Sequence, residues 1–97
     1  MENGEERIEP GGISMYQIDL RRLAYKDLES IPADYGRLIA KHIDTLETNP
    51  RPNDSKKLKG EAGYSLRVGT YRVLYDIDDN AKTVTIYRIK HRREAYR

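Results

Sequence analysis

The segment Tyr64-Ser-Leu-Arg-Val-Gly-Thr-Tyr-Arg-Val-Leu-Tyr75 constrains this chain more than any other. It reads as a β-hairpin turning at Gly69-Thr70, and the turn sets the register. Side chains alternate along a strand, so Tyr64, Leu66 and Val68 meet Tyr71, Val73 and Tyr75 on one apolar face. The other face carries Ser65, Arg67, Arg72 and Leu74, with the two arginines directly opposite each other. Like charges paired across a ladder destabilise it. Two guanidinium groups held side by side suit an anion between them, and their planar donor forks fit a phosphate. The hairpin therefore predicts a phosphate site on the open face of a sheet.

At 97 residues the chain has room for one domain with a thin core. There is no cysteine, which excludes disulfides, thiolate nucleophiles and the common structural zinc sites and fits a reducing cytoplasm. His42 and His91 belong to no local metal-ligand motif, so neither a metal nor another cofactor is expected. No apolar run is long enough to span a bilayer, and the first fourteen residues lack the apolar stretch of a signal peptide. A soluble, cytoplasmic protein is the expectation. Charge is unevenly spread: residues 1–50 hold 6 Lys and Arg against 10 Asp and Glu, whereas residues 51–97 hold 12 against 6. Positive charge thus accumulates on the part that reads as sheet, as a polyanion-binding face requires, although a solvated surface would account for charge alone.

Residues 1–14, with Pro10-Gly11-Gly12 and few apolar side chains, predict a flexible extension before a single folded domain at 15–97. Met15 to Leu20 reads as a short strand. Leu20, Ala24, Leu28 and Ile31 then follow helical spacing up to Pro32, and Tyr35, Leu38, Ile39, Ile43 and Leu46 form the stripe of a second helix. Asn49-Pro-Arg-Pro-Asn53 ends it. A polar loop from Asp54 to Gly63 leads to strands at about 64–68, 71–77 and 83–90, the last two joined at Asp78-Asp79-Asn80. The expected fold is α+β, in the order βααβββ: a small antiparallel sheet covered on one face by a helical hairpin. The facing of the last strand stays open, because Val84 and Ile86 alternate with Tyr87 and Ile89. His91 to Arg97 closes the chain as a short helix or irregular tail.

Basic groups flank the arginine pair: Lys56, Lys57 and Lys59 before the hairpin, His91 and Arg92 after the last strand. RNA cleavage by transesterification needs an aligned 2′-hydroxyl, positive charge on the phosphate oxygens, a base and an acid. Arg67 and Arg72 supply the charge; Tyr96 leads as proton donor or acceptor, followed by His91. Taken singly, Tyr96 packs on the sheet, the lysines are a solvated loop, and Arg88 and Lys90 guard a strand edge. The combination carries the reading. Paired carboxylates, a Ser-His-Asp pattern, a phosphate-binding Gly-rich loop and a metal motif are all absent from the sequence.

Asn49-Pro-Arg-Pro52, Lys57-Leu-Lys-Gly60, the 64–75 hairpin and His91-Arg-Arg-Glu-Ala-Tyr96 together resemble the RelE/ParE toxin superfamily, over residues 15–97. The resemblance implies the toxin of a type II toxin-antitoxin pair. RelE-like members cleave mRNA in the ribosomal A site without metal and leave a 2′,3′-cyclic phosphate. By position, Arg67 and Arg72 match basic residues of the hairpin, Lys59 a basic loop residue, Arg92 or His91 the basic residue after the last strand, and Tyr96 the C-terminal tyrosine. Ser65 departs from relatives that carry a lysine there. The implied partners are a cognate antitoxin, the ribosome and mRNA, with operator DNA reached only through the antitoxin complex. Two alternatives stand beside this one: a ParE-like toxin that poisons DNA gyrase without chemistry of its own, and an RNA-binding module that does not cut.

Overall fold

The computed structural model describes residues 15–58 and 63–95. Among the described residues eight elements follow one another: β1 (Gln17–Leu20), α1 (Arg22–Ser30), α2 (Ala33–Thr45), β2 (Ser55–Lys57), β3 (Tyr64–Val68), β4 (Tyr71–Asp78), β5 (Thr83–His91) and the single turn α3 (Arg92–Ala95). The strands form a five-stranded sheet in the order β1-β5-β4-β3-β2. The α+β fold with a helical hairpin on one face is as expected, but the sheet is mixed. β1 runs parallel to β5, while the other pairs are antiparallel. β2 is the second departure, since the sequence placed it in a loop. Ser-Lys-Lys has no strand-forming preference of its own, and its extended conformation is imposed by pairing with β3.

The hairpin register is Tyr64–Tyr75, Ser65–Leu74, Leu66–Val73, Arg67–Arg72 and Val68–Tyr71. Gly69, with φ of 61°, takes the first turn position, which is the role of glycine in a type II′ turn. Tyr35 on α2 reaches this turn, where its hydroxyl accepts the Thr70 N–H at 3.1 Å. Its ring also meets the Tyr71 ring edge-on at 5.0 Å. The hairpin tip is thereby tied to the helical layer.

The β4–β5 ladder contains a bulge: Tyr75 pairs with Ile86 and Leu74 with Arg88, leaving Tyr87 as the extra residue. This resolves the facing of β5. Val84 and Ile86 face the helices, the extra residue shifts the alternation by one, and Ile89 falls on the same side; all three are buried. Strict alternation along the sequence could not reproduce that shift.

Between the helices, Ile31 is extended with ψ of 143°, because the ring of a following proline disfavours the helical region. Pro32 sits at the N-cap, its carbonyl accepting the Gly36 N–H at 2.8 Å. Ala24 from α1, Ile39 and Ile43 from α2, and Leu46 just beyond it close over Leu66, Val68, Val73 and Tyr75. Leu38 was expected in this stripe but is 43% exposed. It lies about 100° round the helix from Ile39, so only one of the two faces the sheet.

A β-carbon built on Gly69 would stand 1.7 Å from the Tyr35 hydroxyl and 2.8 Å from its Cζ. Gly69→Ala should therefore lose about 2 kcal/mol or more, from left-handed backbone strain of ~1–2 kcal/mol plus the clash. Urea denaturation will check this: the midpoint should fall, and Tyr35→Phe in the Gly69→Ala background should recover part of the loss.

Candidate active site

On the face turned away from the helices, cross-strand pairs place basic residues in two adjacent rows. Arg67, Arg72 and Lys90 form one row across β3, β4 and β5. Lys56, Ser65, Leu74 and Arg88 form the next, across β2 to β5. The row beyond is acidic, with Asp76 opposite Thr85 and Thr85 beside Asp19. Positive charge is thus confined to the end of the sheet near the hairpin tip.

A cleft of about 340 Å³ opens here, lined by Asn53, Asp54, Lys56, Ser65, Arg67 and Arg72 among others. Its far wall is built by the loop that enters β2. The Ser55 hydroxyl and N–H both donate to the Pro52 carbonyl, at 2.7 and 2.9 Å, and the Arg67 N–H donates to the Asp54 carbonyl at 3.1 Å. These bonds carry Lys56 to the position opposite Ser65. Arg72 is only 6% exposed and is engaged within the fold, whereas Arg67 is exposed. One guanidinium is fixed and the other reaches solvent. With Lys56 and Lys90 nearby, the cleft concentrates positive charge where a phosphate would be held.

The expected site residues divide by face. Arg67, Arg72 and Lys56 line the cleft together. Lys57 does not join them, because it alternates onto the helix side, where its ammonium lies 5.1 Å from the centre of the Tyr64 ring. His91 pairs with Tyr71, with ring centroids 5.5 Å apart, and so also occupies the helix side. Arg92 is exposed at the start of α3, and its N–H donates to the Thr70 carbonyl, folding the C-terminal turn back on the hairpin tip. Lys59 and Tyr96 lie outside the described residues.

Lys90 lies on the part of β5 that runs past the end of β1, a sheet edge as expected, and it also stands beside Arg72. The signal was the bulge, which nothing in the sequence marks. Arg88 lies on the same edge stretch and has a defined partner. Asp27 of α1 accepts its Nε at 2.8 Å and its terminal nitrogen at 3.0 Å. The same carboxylate takes the Ile89 N–H at 2.9 Å, satisfying the edge of β5 where β1 has ended. Burial pushes the Asp27 carboxyl up, but hydrogen bonds from Arg88 and Ile89 outweigh it and hold the group below its ordinary value.

The Asn49-Pro-Arg-Pro52 motif has a structural role that its sequence did not reveal. Arg51 donates to both Asp79 oxygens, at 3.3 and 2.9 Å, and its Nε donates to the Tyr64 hydroxyl at 3.1 Å. Tyr16 donates to the same carboxylate at 2.6 Å, and the buried Tyr75 hydroxyl donates to the Pro50 carbonyl at 2.7 Å. The loop leading to β2 is thus pinned to the β4–β5 turn. Hydrogen bonds from Arg51 and then Tyr16 hold the Asp79 carboxyl down at about 2. Among the described residues, no cluster of His, Cys, Asp and Glu could hold a metal ion. Nor is any helix among them long and apolar enough to cross a membrane.

The family model for the ParE toxin of type II toxin-antitoxin systems, parDE, matches residues 18–96. The chain is similar to the putative toxin RelE1 of Methanocaldococcus jannaschii, with 31% identity over 86 residues, 84% of this chain and 96% of that protein. It is similar to toxin RelG of Mycobacterium tuberculosis, with 38% identity over 88 residues, 84% of this chain and 97% of that protein. Its fold matches a chain of the RelBE2 toxin-antitoxin complex from Mycobacterium tuberculosis with a TM-score of 0.74, at 33% identity, over 81% of this chain and 93% of that one. The chain belongs to the RelE/ParE superfamily of type II toxin-antitoxin toxins.

Because the folded pKa values of Asp27 and Asp79 are depressed, the stability they contribute is complete above the unfolded carboxylate value of about 3.9. It is lost as pH falls through the folded values, near 2 for Asp79. Denaturant unfolding between pH 7 and pH 2 should show this acid limb, and Asp79→Asn should flatten it. Asp27→Asn should flatten it too, and lower stability by about 1–2 kcal/mol at neutral pH, since the Arg88 pair is broken.

Proposed function

We propose that this chain is a ribosome-dependent endoribonuclease that cleaves mRNA in the A site by metal-independent transesterification. The observation that carries the proposal is the pairing of Arg67 with Arg72 in one cleft, next to Lys56 and Lys90. In the reaction the substrate's 2′-oxygen attacks the adjacent phosphorus and loses its proton to a base. The bond to the 5′-oxygen of the next nucleotide breaks, and that oxygen takes a proton from an acid. A 2′,3′-cyclic phosphate and a 5′-hydroxyl result. Arg67 and Arg72 neutralise the charge gathering on the non-bridging oxygens, as preformed donors in a walled cleft do best. They cannot exchange protons at neutral pH, so the acid and base come from elsewhere, with Tyr96 as the leading candidate. Lys56, opposite Ser65, brings an amine to the place where some relatives carry a lysine on the hairpin itself. Few groups are available to align the RNA backbone, which is why the ribosome is assigned that task.

A cognate antitoxin is the proposed partner, following the toxin-antitoxin assembly of the structurally similar RelBE2 complex. An acidic segment covering the basic rows would neutralise the cleft directly. The matching family description, the ParE toxin, supports a second reading in which the same fold binds and poisons DNA gyrase.

Primer extension on an mRNA translated in a cell extract separates the two readings. Arg72→Ala should reduce cleavage within codons by about 10²–10³-fold, the cost of removing one preorganised donor, and omission of ribosomes should abolish it. His91→Ala, on the opposite face, should leave cleavage within a few-fold. Intact mRNA with folded, antitoxin-free protein, together with a DNA-damage response in cells, would move the assignment to gyrase.

A further inference from the structure

Tyr87 is the extra residue of the β5 bulge, lies one residue past the last β1–β5 pair, and is 45% exposed. Its neighbours explain what it could contact. A second cleft, of about 430 Å³, is lined by Arg21, Arg22, Leu23, Tyr87 and Arg88. The alternation of β1 buries Ile18 and Leu20 toward the core and leaves Gln17 and Asp19 outward. Arg21 continues that outward set, its N–H held by the Ile86 carbonyl at 3.0 Å. Between the inward Ile86 and Ile89, both Tyr87 and Arg88 fall on the outward side.

Tyr87 and Arg21 therefore share the face of the sheet that bears Arg67 and Arg72. The basic band runs diagonally from that pair through Lys90 to Tyr87, Arg21 and Arg22, passing Arg88, whose guanidinium is taken by Asp27. The acidic row of Asp76 and Asp19 bounds it on one side. From strand spacing and rise, Tyr87 stands about 10 Å from the Arg72 position, close enough for one extended strand to touch both. Bulges re-aim side chains beside functional sites, and an exposed aromatic ring among arginines is how single-stranded nucleic acid is bound: the ring takes a base face and the guanidiniums take phosphates.

We infer that Tyr87, with Arg21 and Arg22, forms a second subsite for single-stranded RNA, stacking a base near the phosphate held by Arg67 and Arg72. This inference rests on the ribonuclease reading of the first cleft. It adds a contact for the substrate strand outside the reacting atoms, so Tyr87 is a binding and positioning residue.

The test is fluorescence anisotropy at low salt with the full chain and a labelled single-stranded oligoribonucleotide, 2′-O-methylated to prevent cleavage. Tyr87→Ala should weaken binding about tenfold and Tyr87→Phe should retain it, since stacking needs the ring and not the hydroxyl. Arg21→Ala with Arg22→Ala should reduce the salt dependence. A dinucleotide too short to reach both clefts should respond to Arg72→Ala and not to Tyr87→Ala. A 2-aminopurine base placed in the oligonucleotide beside the anchored phosphate should be quenched by the wild-type protein, a readout that needs no variant to fold. Loss of binding in Arg72→Ala with none in Tyr87→Ala, and no quenching, would overturn the subsite and leave the first cleft standing. Binding insensitive to Arg72→Ala would overturn the RNA reading of the whole face. If Tyr87→Ala instead weakens only the hold of an acidic protein partner, the patch is a protein interface and the inference fails.

Discussion

The proposed chemistry rests on two arginines held in register across a hairpin that their charges oppose. The opposing cost is met by the other face. Tyr64, Leu66 and Val68 pair with Tyr71, Val73 and Tyr75 against the helices, and a slip of one residue would turn all of them outward. The hydrophobic register and the arginine register are thus the same register. Gly69 and the Tyr35 hydroxyl lock it at the tip, so the position of the arginine pair is set by packing on the side away from it.

A second layer of organisation surrounds the hairpin. Arg51 ties the loop before β2 to Asp79 at the opposite end of the sheet, and that loop delivers Lys56 to the cleft. Asp27 does corresponding work at the other side, binding Arg88 and the Ile89 N–H where the parallel strand β1 has run out. Both are charge-assisted contacts at the boundary of the sheet, and Asp27 also takes a strand N–H that β1 leaves unpaired. The Arg51–Asp79 pair, exposed on both sides, fixes geometry more than it adds stability, since exposed ion pairs are individually weak. The basic face is consequently carried on a framework assembled from behind, with Arg72 held in the fold and Arg67 open to solvent.

Much of the fold was legible because its signals are local. The hairpin could be read from alternation and a glycine turn, and the helical hairpin from spacing and Pro32. The arginine pairing followed from the turn without further information. Leu38 shows the limit of such patterns: two adjacent apolar residues both fit a helical stripe, and only contact with the sheet chooses Ile39. His91 and Lys57 show another, because sequence proximity to a site does not reveal the face on which a side chain emerges.

By itself, then, the sequence determined the hairpin register, the opposition of Arg67 and Arg72, the two helices and the concentration of positive charge in the sheet. Each follows from residues a few positions apart. The tertiary structure alone decided that Ser55–Lys57 is a strand, that β1 lies parallel to β5, and that a bulge at Tyr87 brings Lys90 beside Arg72. These depend on pairings between segments far apart in the chain. Such pairings are chosen by the fit of whole surfaces once the core has closed, and short polar strands and bulges carry no pattern of their own to announce them.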